Sequence, residues 1–384
     1  MNVVETGGMG SGEPTGELAG PRRILVWQWG RRGAGPRVAA EMAAGFASLP
    51  GRRVMLSLSV HAELLQGSDA PAVALPVATY RGMGGFALRV LSAPLRRRRL
   101  RRRIAALAPD VAICAMPGPL DLEMAAALRA LGVPFAVVVH DADRHPGDGF
   151  ALQMLLQRRL VRWANGVVAL SGHVARRLAE QGVVGERALL RATLPPFVFG
   201  PPPPPPLAHG GTVRLLCFGR LLPYKGLDLL AEALSGPEMA GRLEVRVVGK
   251  GPNSVELERL AALPGVRVEN RWVPEGEIGA LIAWSDALVL PYREASQSGV
   301  AAAAIAARRW VVATRVGGLV EQFRNEPLAI LCEPEEGSLR EAVRRLVEAP
   351  PVPDGGGTAA ADWLEAMRGL MGEVERVLGR RGKR

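Results

Sequence analysis

The sequence lacks the features that define several broad classes of protein. No apolar run approaches the roughly 20 residues that a membrane-spanning helix requires. Aromatic residues make up 5% of the chain, which argues against a protein that stacks nucleic-acid bases on aromatic rings. Residues 1–20 contain no charged segment followed by an apolar one, so they do not resemble a secretion signal. We expect a disordered leader over residues 1–20.

Cysteine is scarce as well. Cys114, Cys217 and Cys332 lie far apart within apolar segments and show no metal-ligand spacing. We interpret them as buried, reduced thiols in a cytoplasmic protein.

What the chain does have is length, ordinary composition and positive charge. Its 384 residues exceed what one hydrophobic core usually supports, so two domains are expected. Apolar residues at 48% and charged residues at 22% are typical of a globular protein. The formal charge of +11 calls for an anionic partner, which composition leaves open between nucleic acid, anionic lipid and a phosphorylated substrate.

Six consecutive prolines near mid-chain divide the sequence. The run lies within residues 195–207 and favours a stiff polyproline II spacer, which we predict to be the linker between two domains. The predicted boundaries are 21–194 for an N-terminal acceptor domain and 208–350 for a C-terminal nucleotide-sugar-binding domain. Residues 358–384 are predicted to form a C-terminal helix that packs back toward the N-terminal domain.

Short β-branched runs alternate with helix-like segments on both sides of the prolines. This alternation predicts parallel sheets covered on both faces, so the expected fold class is α/β, with two doubly wound, Rossmann-like domains facing a cleft. A helix is predicted over residues 37–49. The predicted strands are 23–27, 54–58, 111–115, 135–140 and 166–170, followed by 213–218, 243–248, 266–268, 287–290 and 310–313.

Open α/β sheets bind ligands at the carboxyl ends of their strands. Arg220 and Lys225 follow one predicted strand on a single loop, where they are suited to clamping a diphosphate, although two incidental solvated bases would look the same. Gly249-Lys250-Gly251 follows the next strand and is a weak signal, because most such glycines simply form a turn. A third loop carries Glu294 and leads into a small-residue helix predicted over residues 301–307. The N-terminus of that helix, with the hydroxyls of Ser296 and Ser298 nearby, suits an anion.

The order and spacing of these motifs resemble the family-4 retaining glycosyltransferases, which have the GT-B fold. The resemblance covers nearly the whole second half of the chain and is looser in the first half. It is carried by Gly219-Arg220…Lys225-Gly226, Gly249-x-Gly251, Ser285-Asp286, Pro291-Tyr292-x-Glu294, Ser298-Gly299, Val312-Ala313-Thr314 and Val316-Gly317-Gly318, with Gly33-Ala34-Gly35, Val139-His140-Asp141 and Val168-Ala169-Leu170-Ser171 in the first half.

The resemblance implies a role for each matching residue. Arg220 and Lys225 would hold the donor diphosphate and neutralise the departing nucleotide, so that neither a metal nor a cofactor is implied. Glu294 would contact the transferred sugar, and His140 would orient it from across the cleft. Together the implied catalytic residues are His140, Arg220, Lys225 and Glu294. The implied donor-binding residues are Gly33, Gly35, Gly219, Arg220, Lys225, Gly251, Glu294, Ser298, Gly299 and Val300.

One departure affects these expectations. The family commonly has a second Glu two helical turns after the first, where it binds the donor ribose, but here the segment contains Ala302 and Ala303. Other groups bind the ribose, or donor affinity is weak, or activity has been lost. We favour an active, divergent hexosyltransferase of polysaccharide biosynthesis that uses a lipid-linked or glycan acceptor. A catalytically degenerate GT-B-like scaffold protein, or an epimerase or glycogen-synthase-like enzyme of the same architecture, are the alternatives.

Two other features allow competing interpretations. His140, with Asp141, Asp143, His145 and Asp148 close by, could be a structural histidine or part of a metal site rather than sugar-facing. The seven arginines of Arg96–Arg103 could form a solvated helix face, or could place the protein peripherally on an anionic membrane. No recognition motif for nucleic acid accompanies this charge.

Overall fold

A computed structural model gives the architecture. It describes residues 23–67, 70–80, 85, 89, 92–144, 147, 151–199, 212–236, 239–349 and 359–379. The strands among these residues form two six-stranded sheets, and neighbouring strands in each run parallel. The predicted α/β class with two doubly wound sheets is confirmed. The predicted leader and most of the proline segment, from residue 200, lie outside the described residues.

The first half of the chain forms a sheet with the strand order β2-β1-β3-β4-β5-β6. Its strands are β1 (Arg23–Gln28), β2 (Arg53–Leu58), β3 (Val111–Cys114), β4 (Phe135–Val139), β5 (Gly166–Ala169) and β6 (Ala188–Arg191). Its helices are α1 (Ala34–Ala47), α2 (Ala93–Leu107), α3 (Asp121–Ala130), α4 (Ala151–Trp163) and α5 (Gly172–Glu180), and a 3-10 turn spans Glu63–Gln66.

The second half forms a sheet with the order β12-β11-β10-β7-β8-β9. Its strands are β7 (Val213–Arg220), β8 (Leu243–Lys250), β9 (Val266–Asn270), β10 (Ala287–Leu290), β11 (Trp310–Thr314) and β12 (Ala329–Cys332). Its helices are α6 (Leu227–Leu234), α7 (Val255–Ala261), α8 (Glu275–Trp284), α9 (Gly299–Ala306), α10 (Leu319–Gln322) and α11 (Glu336–Glu348), with a 3-10 turn at Pro223–Lys225.

The sequence analysis missed the edge strands β6 and β12. Both have only four residues and are only partly buried, and β6 has just three apolar residues between two arginines, so these short edge strands carry a weaker signal than a buried central strand. The central strand β4, by contrast, is buried at every residue, and its Phe135 ring meets the Trp27 ring of β1 edge-on at 5.9 Å between centroids. All three cysteines are free and buried.

The last helix, α12 (Ala359–Gly379), returns to the first half of the chain. Trp363, Met367 and Val374 are buried in the same apolar cluster as Ile24 and Val26 of β1. The contact with α1 is so close that a Cβ on Gly45 would lie 2.6 Å from Cγ of Met367. The first sheet is therefore covered on one face partly by the end of the chain.

Candidate active site

The second sheet changes direction between β7 and β10. From β7 the chain adds β8 and β9 on one side, then crosses to add β10, β11 and β12 on the other. Ligands of open α/β sheets bind outside the carboxyl ends of the strands at such a reversal. Arg220 is the last residue of β7, and Pro291 directly follows β10. The predicted diphosphate site therefore lies where the topology favours a ligand.

Arg220 and Lys225 are held by two tyrosines. Nη2 of Arg220 donates a hydrogen bond of 2.8 Å to Oη of Tyr224. Nζ of Lys225 lies 3.6 Å from the ring centroid of Tyr292 and 5.0 Å from that of Tyr224, within range of cation–π attraction. Both rings are buried, whereas Arg220 is exposed. The two cations are thus presented from a fixed aromatic base.

Sequence reasoning missed the role of these tyrosines. The chain has only three tyrosines, and two of them stand in the motifs around Lys225 and Glu294. That concentration was the available signal. Burial raises the pKa of Tyr292 well above its ordinary value, so its hydroxyl stays protonated, and Oη lies 3.2 Å from Oγ of Ser298.

The glycines around the cations serve chain packing. Arg220 belongs to β7 rather than to the following loop, and Gly249 and Lys250 belong to β8 rather than to a turn, because Gly219 and Gly249 pair across the two strands. A Cβ on Gly249 would lie 1.6 Å from the Gly219 carbonyl oxygen, and one on Gly251 would lie 1.9 Å from that of Leu221. At these glycines the group that approaches the backbone closely is therefore neighbouring backbone and not a ligand.

Helix α9 begins next to the cations. The Ser298 hydroxyl accepts from the backbone N–H of Ala301, and the Ser298 N–H donates to Oε1 of Gln322 at 2.7 Å. A Cβ on Gly299 would lie 2.9 Å from the Phe197 ring. The predicted roles of Ser298, Gly299 and Val300 remain predictions, and in this structure the Ser298 N–H is bonded to Gln322 while the Ser298 hydroxyl accepts the helix-capping bond.

The segment expected to hold a second Glu is apolar for a structural reason. Ala302 and Ala303 of α9 are buried in the cluster that also contains residues of β1 and α12. A carboxylate in this cluster would lose its hydration without a countercharge, which is costly. Glu294, by contrast, is exposed in the loop between β10 and α9.

On the opposite side, His140 follows β4 at the carboxyl edge of the first sheet. Nε2 lies 3.3 Å from the Ala115 carbonyl oxygen, and Nδ1 lies 2.8 Å from Nε2 of Gln297 in the second half. Burial lowers the pKa of His140 to about 4, with Asp141 acting in the opposite direction. The ring is therefore neutral at pH 7. Sequence reasoning did not identify Gln297.

Further bonds join the two halves beside this pair. The Glu321 carboxylate accepts from the backbone N–H groups of Gly172 (2.6 Å) and His173 (2.9 Å), at the start of α5. The Ser171 hydroxyl donates to the Ser296 carbonyl oxygen at 3.0 Å. A carboxylate at a helix N-terminus is favourable, so the carboxyl edges of the two sheets are held together here.

The remaining predicted residues lie around this edge. Gly33 caps α1 with a φ of 80°, and the space around it is open, while Gly35 leaves room for the Gln28 side chain. The Asp143 carboxylate bonds Arg177 and Gln181. His145 and Asp148 lie outside the described residues, and within the described ones no group of three or more His, Cys, Asp or Glu side chains could hold a metal ion.

Two family models match the chain. Residues 36–189 match "Glycosyltransferase Family 4", and residues 212–349 match "Glycosyl transferases group 1". The chain belongs to the group 1 glycosyltransferases. It is therefore a transferase enzyme, and its fold is GT-B.

Curated relatives of this glycosyltransferase are distant. It is 27% identical to a 2-deoxystreptamine glucosyltransferase of Streptomyces kanamyceticus, over 66% of this chain and 73% of the relative. It is 26% identical to a GDP-mannose:glycolipid 4-beta-D-mannosyltransferase of Xanthomonas campestris pv. campestris, over 48% of this chain and 51% of the relative.

Solved structures support the same fold. HepE of Anabaena, solved in complex with UDP and glucose, superposes with a TM-score of 0.63 over 94% of this chain and 98% of that one. The two sequences are 16% identical, so this likeness establishes the shared GT-B architecture alone.

Proposed function

We propose that this glycosyltransferase transfers a hexose from a nucleotide-diphosphate sugar to a lipid-linked or polysaccharide acceptor, with retention of configuration and without a metal. The observation that carries the proposal is the pair Arg220 and Lys225, held on two buried tyrosines at the reversal point of the second sheet. Two fixed cations suit the diphosphate of a donor and the charge that develops on the departing nucleotide.

The groups present support a front-face reaction. The bond between the anomeric carbon and the diphosphate oxygen breaks while the acceptor oxygen bonds the same face of the sugar. The acceptor proton passes to an oxygen of the departing diphosphate, whose charge Arg220 and Lys225 balance. His140 is neutral and is bonded through both ring nitrogens, to the Ala115 carbonyl oxygen and the Gln297 amide, so it acts as a positioning group beside the sugar rather than as a charged acid.

The test is a transfer assay on the purified protein with UDP- and GDP-linked hexoses and a panel of lipid and glycan acceptors. We expect a product whose anomeric configuration, determined by NMR, equals that of the donor. Inversion would overturn the retaining mechanism. Donor binding without transfer to any acceptor would instead support the scaffold alternative.

The acceptor class is suggested by the outer helices of the first sheet. Helices α2, α3 and α4 are neighbours and carry seven, one and three arginines. Helices α2 and α4 contain no acidic residue, and the two acids of α3, Asp121 and Glu123, are buried. In α2, Leu100 and Ile104 face the core, whereas Arg96–Arg99, Arg101 and Arg102 are exposed. The Leu95 side chain lies outside the described residues.

We infer that this basic face sits on anionic lipid at the inner face of the membrane. Each basic residue near such a surface contributes about 1 kcal/mol. None of the described helices is long and apolar enough to cross a bilayer, so the association is peripheral.

Flotation with vesicles tests the membrane association. The protein should float with phosphatidylglycerol vesicles and detach as salt rises, because exposed charges are screened beyond about 8–10 Å. Replacing the arginines of α2 by glutamine should abolish flotation and leave donor binding intact. As a control, replacing the same number of arginines in the second half should not abolish flotation. Wild-type protein that ignores these vesicles at low salt would overturn the inference.

A further inference from the structure

Gln297 spans the gap between the two halves and keeps one polar atom unused. Its Nε2 reaches Nδ1 of His140 at 2.8 Å. Its Oε1 is buried and has no hydrogen-bond partner among the described residues. Buried amide oxygens are nearly always bonded, because leaving one unpaired costs free energy. Oε1 of Gln297 is therefore an unused acceptor beside His140.

The bonds of His140 determine which way the Gln297 amide faces. The Ala115 carbonyl oxygen can only accept, so Nε2 of His140 carries the hydrogen. The ring is neutral, and its Nδ1 is therefore an acceptor that requires the NH₂ group of Gln297. The oxygen of this amide is left pointing away from His140.

The position of Gln297 relates it to the proposed sugar. It lies three residues after Glu294 and directly before Ser298, whose hydroxyl is bonded to the tyrosine beneath Lys225. His140 faces it from the carboxyl edge of the first sheet. In the proposed reaction, the transferred sugar lies between the diphosphate clamp and that edge.

We propose that Gln297 is a specificity-determining residue whose amide oxygen accepts a hydrogen bond from one hydroxyl of the transferred sugar, while its NH₂ group remains on His140. This inference rests on the proposed function. It assigns Gln297 to the hexose and not to the nucleotide. A site built to bond a hydroxyl discriminates strongly against an analogue that lacks it, because the acceptor is then left unpaired.

The experiment compares nucleotides with nucleotide sugars. Calorimetry would measure the Kd of UDP, GDP, UDP-glucose and GDP-mannose for the wild type, Gln297→Met and a control, Gln157→Met. Methionine keeps the length of glutamine without its polar atoms. Gln157 is also buried and donates to the Asp141 carbonyl oxygen, so its loss reports on local stability.

We expect Gln297→Met to leave the Kd of the free nucleotide within twofold and to weaken binding of its sugar conjugate about tenfold. Monodeoxy analogues of the donor should show one position whose removal weakens the wild type but not Gln297→Met. Equal weakening for nucleotide and nucleotide sugar would make Gln297 a link between the halves and overturn the inference, as would no change at all. Failure of the wild type to bind any nucleotide would overturn the proposed function first.

Discussion

The carboxyl edges of the two sheets carry different chemistry. The second sheet presents two cationic side chains, Arg220 and Lys225, on two tyrosine rings. The first sheet presents His140, which is neutral and buried, and the buried carboxyl of Asp121, which lies next to Cys114 at the end of β3. One edge therefore carries positive charge, which suits the anionic part of a donor, and the other carries buried neutral groups.

Exposure explains the difference. Arg220 remains in contact with water, so its charge has little desolvation to overcome. His140 and Asp121 are almost fully buried, and burial favours the neutral form of each. The comparison teaches that the exposed edge keeps its charges whereas the buried edge is neutral, and the following predictions test this contrast in order of effect.

The largest effect should come from the cations. Arg220→Ala or Lys225→Ala should each lower kcat/KM about 30- to 1,000-fold, because each removes a charge-assisted contact to the departing diphosphate. This factor corresponds to roughly 2–4 kcal/mol of lost transition-state stabilisation. The measurement is steady-state transfer with the preferred donor. Arg259→Ala removes an exposed arginine that pairs with Glu232 on α6, and it is the control. Unchanged turnover in both site variants would contradict the assignment of the diphosphate to the edge of the second sheet.

The aromatic base should matter less than the charges it holds. Tyr292→Leu should lower kcat/KM about tenfold, since cation–π attraction in a partly desolvated site is worth about 1–2 kcal/mol. Tyr292→Phe keeps the ring and should retain most activity, which separates the ring from the hydroxyl bond to Ser298. A Leu variant that loses nothing in a Lys225→Ala background, but tenfold otherwise, would show that the ring acts through the lysine. Thermal melting would check that both variants fold.

The dependence of stability on pH should reside in the first half. Burial lowers the pKa of His140 to about 4 and raises that of Asp121 to about 7. Between pH 4.5 and 6.5 the unfolded state holds the extra proton on His140, so His140 makes stability rise with pH. The folded state holds the extra proton on Asp121, so Asp121 makes stability fall with pH.

These two slopes, each up to about 1.4 kcal/mol per pH unit, offset each other in the wild type. We expect the unfolding free energy to rise more steeply with pH in Asp121→Asn and to rise less or fall in His140→Gln. Urea unfolding at several pH values measures both. Identical slopes in the three proteins would contradict this assignment.

The smallest expected effect is that of chelation. EDTA should leave transfer unchanged, because Arg220 and Lys225 carry the charge that a metal would otherwise balance. The residues that could hold a metal instead are Asp141 and Asp143, two positions apart, although the Asp143 carboxylate already bonds Arg177. Loss of activity that Mg²⁺ or Mn²⁺ restores would move charge neutralisation to the first half and reverse the comparison.

Local sequence patterns predicted much of the fold and the position of the two cations at the end of a strand. The runs of β1, β4, β7 and β10 are strongly apolar, and candidate site residues lie at their carboxyl ends: Arg220 is the last residue of β7, and Glu294 follows β10. The partners of these residues were not predictable in the same way. Gln297 meets His140, 157 positions away, and Glu321 meets Gly172, 149 positions away. Such pairs depend on how the two sheets face each other, which no local pattern specifies.

The placement of α12 has a consequence for biosynthesis. Trp363, Met367 and Val374 complete a cluster whose other members include β1 and α1, near the beginning of the chain. During translation the first sheet is made long before its last covering helix, with a delay of roughly 10–40 seconds at ordinary elongation rates. Throughout that interval α12 cannot cover the apolar strip along α1, β5 and β6 that it packs against in the folded protein. Ribosome-associated chaperones that shield such strips are therefore expected to engage this protein after its first half has emerged and to leave when α12 docks.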